Sequence, residues 1–150
     1  MSYLQLLYHI VFRPKESKPV IPVEHEEKLY RYIWGFVKES GGVLYRIGGM
    51  PDHVHIFVQI PPTITVSDFM RDLKTSSSKF LKDHIEDFPR FQGWGKSYCA
   101  ITHSALEKEK VVNYIKGQKE HHKKVSFQEE LLGFLKEYGI EVDMCYFLKE

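Results

Sequence analysis

The run from His53 to Ile60, His-Val-His-Ile-Phe-Val-Gln-Ile, limits the fold more than any other stretch of this chain. An extended strand points successive side chains to opposite faces, so Val54, Ile56, Val58 and Ile60 enter a core while His53 and His55 project side by side from the other face. Two imidazoles placed this way can reach one ion. A solvated or hydrogen-bonded histidine pair fits the same pattern, so taken alone the pair leaves both readings open.

The remaining elements follow from periodicity and punctuation. Tyr3 to Arg13 is rich in β-branched and aromatic residues and reads as a central strand. Pro14, Pro19 and Pro22 mark a turn-rich connection. Leu29, Ile33, Phe36 and Val37 recur at helical spacing between Val23 and Glu39, with Gly41-Gly42 as the stop. Val43 to Ile47 pairs with His53 to Ile60 as a hairpin across Gly48 to Asp52. A helix from about Val66 carries Phe69, Met70, Leu73, Phe80, Leu81 and Ile85 on one side and Arg71, Lys74, Ser78 and Lys82 more outward. Tyr98 to Thr102 is a short strand.

Two capping boxes, Ser104-Ala-Leu-Glu107 and Ser126-Phe-Gln-Glu129, start helices expected to run to about His122 and about Tyr138. Strands alternating with helices around a central hairpin give an α+β, ferredoxin-like (RRM-like) domain. Its four-stranded sheet is mainly antiparallel, with helices on one face and the other left available.

A chain of 150 residues, 43% hydrophobic and 14% aromatic, has the size and apolar content for one packed domain, expected to span 1–150. Its apolar runs, such as Leu6 to Phe12, fall well short of the roughly 20 residues that cross a bilayer. No basic segment followed by an apolar stretch opens the chain, so a cytoplasmic location without membrane contact is expected. Cys99 and Cys145 stand in no thiolate-site spacing and read as free thiols. With a net charge of only +1, any binding of nucleic acid has to come from local patches.

A second chemical signal lies in Asn113-Tyr114-Ile115-Lys116-Gly117-Gln118. Helical residues turn about 100° each, so Tyr114 and Gln118 share a face one turn apart. Val111, Val112 and Ile115 fill the core side of this helix and leave Tyr114 and Gln118 at its margin. A tyrosine packed where helix meets sheet is the plain alternative.

Taken together, Pro51-Asp-His-Val-His55 and the later Tyr-x-x-x-Gln resemble the HUH single-tyrosine transposases of small insertion sequences, the TnpA type. Tyr8 to Phe12 looks like that family's first strand, Leu73-Lys-Thr-Ser-Ser-Ser78 like its Lys-x-x-Ser-Ser segment, and Trp94 to Tyr98 like the approach to its last strand. The resemblance spans about residues 8–122 and leaves the part after Ser126 as an amphipathic helix and a short apolar tail.

The resemblance implies a single-stranded DNA substrate with hairpins at element ends. It also implies Tyr114 as nucleophile, His53, His55 and Gln118 as ligands of Mg²⁺ or Mn²⁺, and a 5′-phosphotyrosine intermediate with a free 3′-OH. It further implies a homodimer in which the Tyr helix can serve the partner's His pair. Phenols ionise near pH 10, and the sequence names no base for Tyr114.

Basic groups suited to DNA are Arg71, Lys74 and Lys79 beside Ser77 and Ser78, and Lys116 and Lys119 after the tyrosine. Gly117, between nucleophile and ligand, weakens the helix there by about 1 kcal/mol relative to Ala and could let it shift. Competing readings are a noncatalytic single-strand binding module with stacking aromatics on the open sheet face, and a metallophosphodiesterase using water.

Overall fold

The computed structural model describes residues 2–143. Strand β1 (Leu7–Pro14) is followed by helix α1 (Glu26–Glu39), the hairpin β2 (Val43–Met50) and β3 (His53–Gln59), helix α2 (Val66–Asp83) and strand β4 (Trp94–His103). Three helices complete the described chain: α3 (Lys108–Lys116), α4 (Gln118–His121) and α5 (Phe127–Glu137). The strands form one antiparallel sheet in the order β2-β3-β1-β4, the expected ferredoxin-like arrangement.

One side of the sheet carries the main core. Ile10 and Phe12 of β1 and Val54, Ile56 and Val58 of β3 pack against Leu29, Ile33 and Val37 of α1 and Phe69, Met70, Leu73 and Leu81 of α2. Each such side chain taken fully out of water contributes roughly 1.5–3 kcal/mol, so this layer holds the two crossover helices in place. Ile85 does not join them. The helix ends at Asp83, and Ile85 is 64% exposed.

The opposite sheet face is also covered, contrary to the expectation of an open one. α3 packs over β2 and β3, with Val111 and Ile115 against Leu7 and Phe57. Gly48 permits this approach, because a Cβ there would lie 2.9 Å from the carbonyl oxygen of Ile115. α5 completes the cover by laying the Phe127 ring on that of His53, centroids 4.2 Å apart. The apolar stripe of α5, Phe127, Leu131, Phe134 and Leu135, needs a surface to bury against, and the unoccupied half of the sheet supplies it.

The helix from the Ser104 capping box does not run unbroken to His122. Ser104 caps a short 3₁₀ turn, and the helix is interrupted at Gly117. The backbone bonds from Gly117 N to Asn113 O and from His121 N to Gly117 O bridge the interruption, which keeps Gln118 one turn beyond Tyr114. Ser126 caps α5 by accepting from the Glu129 backbone N–H, as its box predicts. No helix among the described residues is long and apolar enough to cross a membrane. Cys99 is a free thiol; Cys145 and the end of the apolar tail lie outside the described residues.

Candidate active site

His53 and His55 occupy one face of β3, as their spacing requires, and both are fully buried beneath α4 and α5. His53 Nδ1 lies 2.8 Å from Asp52 Oδ1. A carboxylate only accepts, so Nδ1 carries a hydrogen, and Nε2 faces inward, 2.9 Å from Gln118 Oε1. His55 Nδ1 meets His9 Nε2 at 2.8 Å, and its Nε2 lies 2.9 Å from Glu130 Oε1. Burial, foremost, holds the His55 imidazole at about 4 and the His9 imidazole at about 3, so both rings are neutral near pH 7.

Glu130 is the centre of this cluster. Its carboxylate accepts from the Tyr114 hydroxyl and, at 2.9 Å, from the Gln118 amide N–H. Because the amide nitrogen is used there, Gln118 Oε1 is the atom turned toward the histidines. Burial works against a charged Glu130, yet the bonds from His55, Tyr114 and Gln118 hold it below the ordinary carboxylate range. Burial first, then the bond to Glu130, pushes the Tyr114 phenol above its usual value. With this contact intact, Tyr114 keeps its proton.

The donor set suits a divalent cation. His53 Nε2, His55 Nε2, Gln118 Oε1 and Glu130 Oε1 are neighbours at 2.9 to 3.4 Å. Adjacent ligands on an octahedral ion with bonds of about 2.1 Å stand about 3 Å apart. His53, His55 and Glu130 also offer one ligand atom each within 4.8 Å of one another, and all three are buried. Asp52 and His9 fix the ring orientations from behind, as outer partners of ligating histidines commonly do.

Glu130 and His9 carry no role in the sequence reading. The available signal for Glu130 was an acidic residue three after Phe127 and four before Phe134, hence on the apolar stripe of its helix, where a carboxylate is costly unless partnered.

The expected DNA contacts divide. Ser77 is fully buried; its hydroxyl donates to Leu73 O and accepts from the Trp94 indole at 2.9 Å, so its role is structural, a correction to the sequence reading. Lys74 donates to the carbonyls of Gly95, Lys96 and Ser97, tying α2 to β4. Lys119 is engaged with Glu26 and Gly49 O. Arg71 and Lys79 are exposed, in surface pairs with Asp68, Asp72 and Asp83, and Ser78 is half-buried beside them. All of α2 lies across the sheet from the histidines, whereas Lys116 is exposed on α3, which packs on the histidines' face of the sheet.

Comparison with known proteins finds similarity to transposases. The family model described as "Transposase IS200 like" matches residues 2–118. The ISDra2 transposase TnpA of Deinococcus radiodurans is 26% identical over 121 residues, 76% of this chain and 84% of that protein. The transposase for insertion sequence element IS200 of Salmonella typhimurium is 28% identical over 120 residues, 77% of this chain and 78% of that one. Among solved structures, a protein of Deinococcus radiodurans R1 described as a transposase superposes with TM-score 0.61 at 25% identity, covering 79% of this chain and 95% of its own. A REP-associated tyrosine transposase bound to a REP hairpin shares the fold, with TM-score 0.60 at 13% identity over 83% of this chain and 76% of that one.

Proposed function

The chain belongs to the IS200-like transposase family, and on that premise we propose that it cuts and rejoins single-stranded DNA through Tyr114. His53, His55 and Gln118, joined by Glu130, hold a divalent cation of the Mg²⁺ or Mn²⁺ kind. The observation that carries this reading is one carboxylate: Glu130 meets the Tyr114 oxygen, His55 Nε2 and the Gln118 amide together, so nucleophile and ligands converge within one side chain's reach.

When bound, the cation polarises the scissile phosphate and stabilises the departing 3′ oxygen. Tyr114 supplies the nucleophile. Its oxygen bonds to phosphorus as the bond to the 3′ oxygen breaks, the phenolic proton passes to Glu130, and the 3′ oxygen takes a proton from solvent and leaves as a hydroxyl. Attack by another 3′-OH on the phosphotyrosine reverses the step and joins new ends. The phosphodiester energy is conserved in the covalent link, so no nucleotide cofactor is needed.

In the arrangement described, α5 closes the site, with Phe127 over His53 and Phe134 beside His9, His55 and Tyr114. Entry of a phosphate therefore requires α5 to yield. Arg71, Ser78, Lys79 and Lys116 are the side chains we assign to DNA phosphates, with Lys74 and Lys119 contributing only if they leave their present partners. The working unit is one domain spanning 1–150 and assembled as a homodimer. Tyr114 already reaches the His pair of its own chain, ring centroids 5.9 Å from His55, so exchange of the Tyr helix with the partner is a separate step, hinged near His103 and Ser104.

The test is incubation with hairpin-bearing single strands from the flanks of the gene, with Mg²⁺ or Mn²⁺, followed by denaturing electrophoresis. A hairpin is the first probe because the structurally similar REP protein is described as bound to one. A 5′-linked protein–DNA adduct is expected. Cleavage that leaves no adduct would replace this reading with water-based hydrolysis, and light scattering of the dilute protein decides the dimer.

A further inference from the structure

The Glu130 carboxylate has two oxygens, and a second pair of histidines faces the one that His53 and His55 do not use. His121 Nε2 lies 3.2 Å and His122 Nε2 lies 3.4 Å from Glu130 Oε2, while His53 and His55 approach Oε1. The ligand atoms of His121, His122 and Glu130 lie within 4.8 Å of one another, forming a group that shares no histidine with the first. The spacing again matches neighbouring ligands on one ion, about 3 Å.

Hydrogen bonding aims both rings at this point. His122 Nδ1 lies 2.6 Å from the carbonyl oxygen of Val125, which can only accept, so the hydrogen sits on Nδ1 and the Nε2 lone pair points inward. That lone pair faces Gln118 Oε1 at 2.9 Å, and this oxygen is also 2.9 Å from His53 Nε2. Two ring nitrogens thus flank one amide oxygen that has no hydrogen to offer either. His121 Nε2 is buried and makes no hydrogen bond despite its distance from Glu130, an arrangement that costs free energy unless something else binds the nitrogen.

We propose that His121, His122 and Glu130 form a second divalent-cation site, joined to the His53–His55 site through the bridging Glu130 carboxylate. Imidazoles with one carboxylate suit first-row divalent ions such as Mn²⁺. The Gln118 oxygen stands between the two His pairs as a further shared donor. Glu130 Oε2 also receives the Tyr114 hydroxyl, so the second ion lies beside the nucleophile. The His121 side chain is 34% exposed, which gives this ion a path from solvent that the fully buried first pair lacks. The inference rests on the proposed first site for its partner ion.

The experiment is titration of the full chain with Mn²⁺, read by calorimetry and electron paramagnetic resonance. Two equivalents and the signature of an exchange-coupled Mn²⁺ pair are expected, and Mn²⁺-soaked crystals should show two anomalous peaks about 3.5–4 Å apart. His121→Ala and, independently, His122→Gln should each lose one equivalent and the coupling, with circular dichroism melts confirming that both variants fold. His53→Ala should remove the other equivalent. One equivalent in the parent, unchanged in His121→Ala, overturns the second site and leaves the first standing. A single equivalent in the parent, lost in His121→Ala and kept in His53→Ala, overturns the first site, and no bound Mn²⁺ at all reduces both groups to a hydrogen-bonded cluster.

Discussion

On one side of β3, Val54, Ile56 and Val58 meet Leu29, Ile33 and Leu73 in a layer made of hydrocarbon; on the other, one residue away along the chain, His53 and His55 meet Glu130, Gln118, Asp52 and His9. The first face is held by area removed from water, which is non-directional and tolerates exchange of one apolar side chain for another of similar volume. The second is held by lone pairs and hydrogens that have to match atom by atom, and a single replacement leaves a buried polar group without its partner. On the proposed reading, stability and chemistry are divided between alternate residues of one strand.

The sharpest way to break this division is at the proposed nucleophile. Tyr114→Phe keeps the ring and its packing but removes the oxygen, so cleavage and the covalent adduct should fall to background in the electrophoretic assay. The protein should stay folded with a modestly lower melting temperature, since a hydrogen bond to a charged group is worth about 1.5–3 kcal/mol. Cleavage by the Phe variant near the parent's rate would make Tyr114 a packing residue.

Neighbouring residues of β3 should then give opposite results. Ile56→Ala should cost about 2–5 kcal/mol of folding stability by denaturant titration, while the folded variant keeps its Mn²⁺ affinity. His55→Asn should do the reverse, lowering Mn²⁺ affinity about tenfold or more with a smaller loss of stability. Equal effects of the two variants on both measurements would mean that the faces are not functionally separate.

The supporting shell offers a milder test. Asp52→Asn and His9→Phe leave every proposed ligand in place but release the rings of His53 and His55, and each should weaken Mn²⁺ binding by about 10- to 100-fold. Added Mn²⁺ should restore cleavage in these variants and not in Tyr114→Phe.

Acid should loosen the polar face before the apolar one. The His55 and His9 imidazoles titrate at about 4 and about 3 when folded, mainly through burial, against about 6.5 when unfolded. The unfolded chain therefore binds more protons in that interval. Stability present above about pH 6.5 declines as pH falls through the folded values, and the depressed Glu130 carboxyl acts in the same direction at lower pH. A melting temperature that does not decline between about pH 6.5 and 4 would show these rings to be charged in the native protein.

The smallest effects are expected among the basic residues. Lys116→Ala, on the helix beside the site, should weaken single-strand binding slightly and reduce its salt dependence by about one phosphate contact. Ser77→Ala should leave DNA affinity unchanged and lower stability by about 1–3 kcal/mol, because the Trp94 indole loses its acceptor.

What the sequence determined by itself is whatever depends on near neighbours. Alternation in β3 put His53 and His55 together, the interval of four put Tyr114 and Gln118 on one face, and the boxes at Ser104 and Ser126 marked where helices begin, because dihedral periodicity and capping act within a few residues. The alternation of strands and helices around the hairpin between β2 and β3 also pointed to the four-stranded antiparallel sheet. What only the tertiary structure decided is where the last helix lies. Its docking covers the sheet face that the local pattern left open, and it carries Glu130 to His55 across 75 residues of chain. Ser77, Lys74 and Lys119 likewise have internal partners that no local pattern in the sequence disclosed. A hydroxyl, an ammonium or a carboxylate looks alike in sequence whether it faces solvent or a buried acceptor. Its role is fixed by which groups meet it after the chain has folded, and that is set by long-range packing and not by spacing.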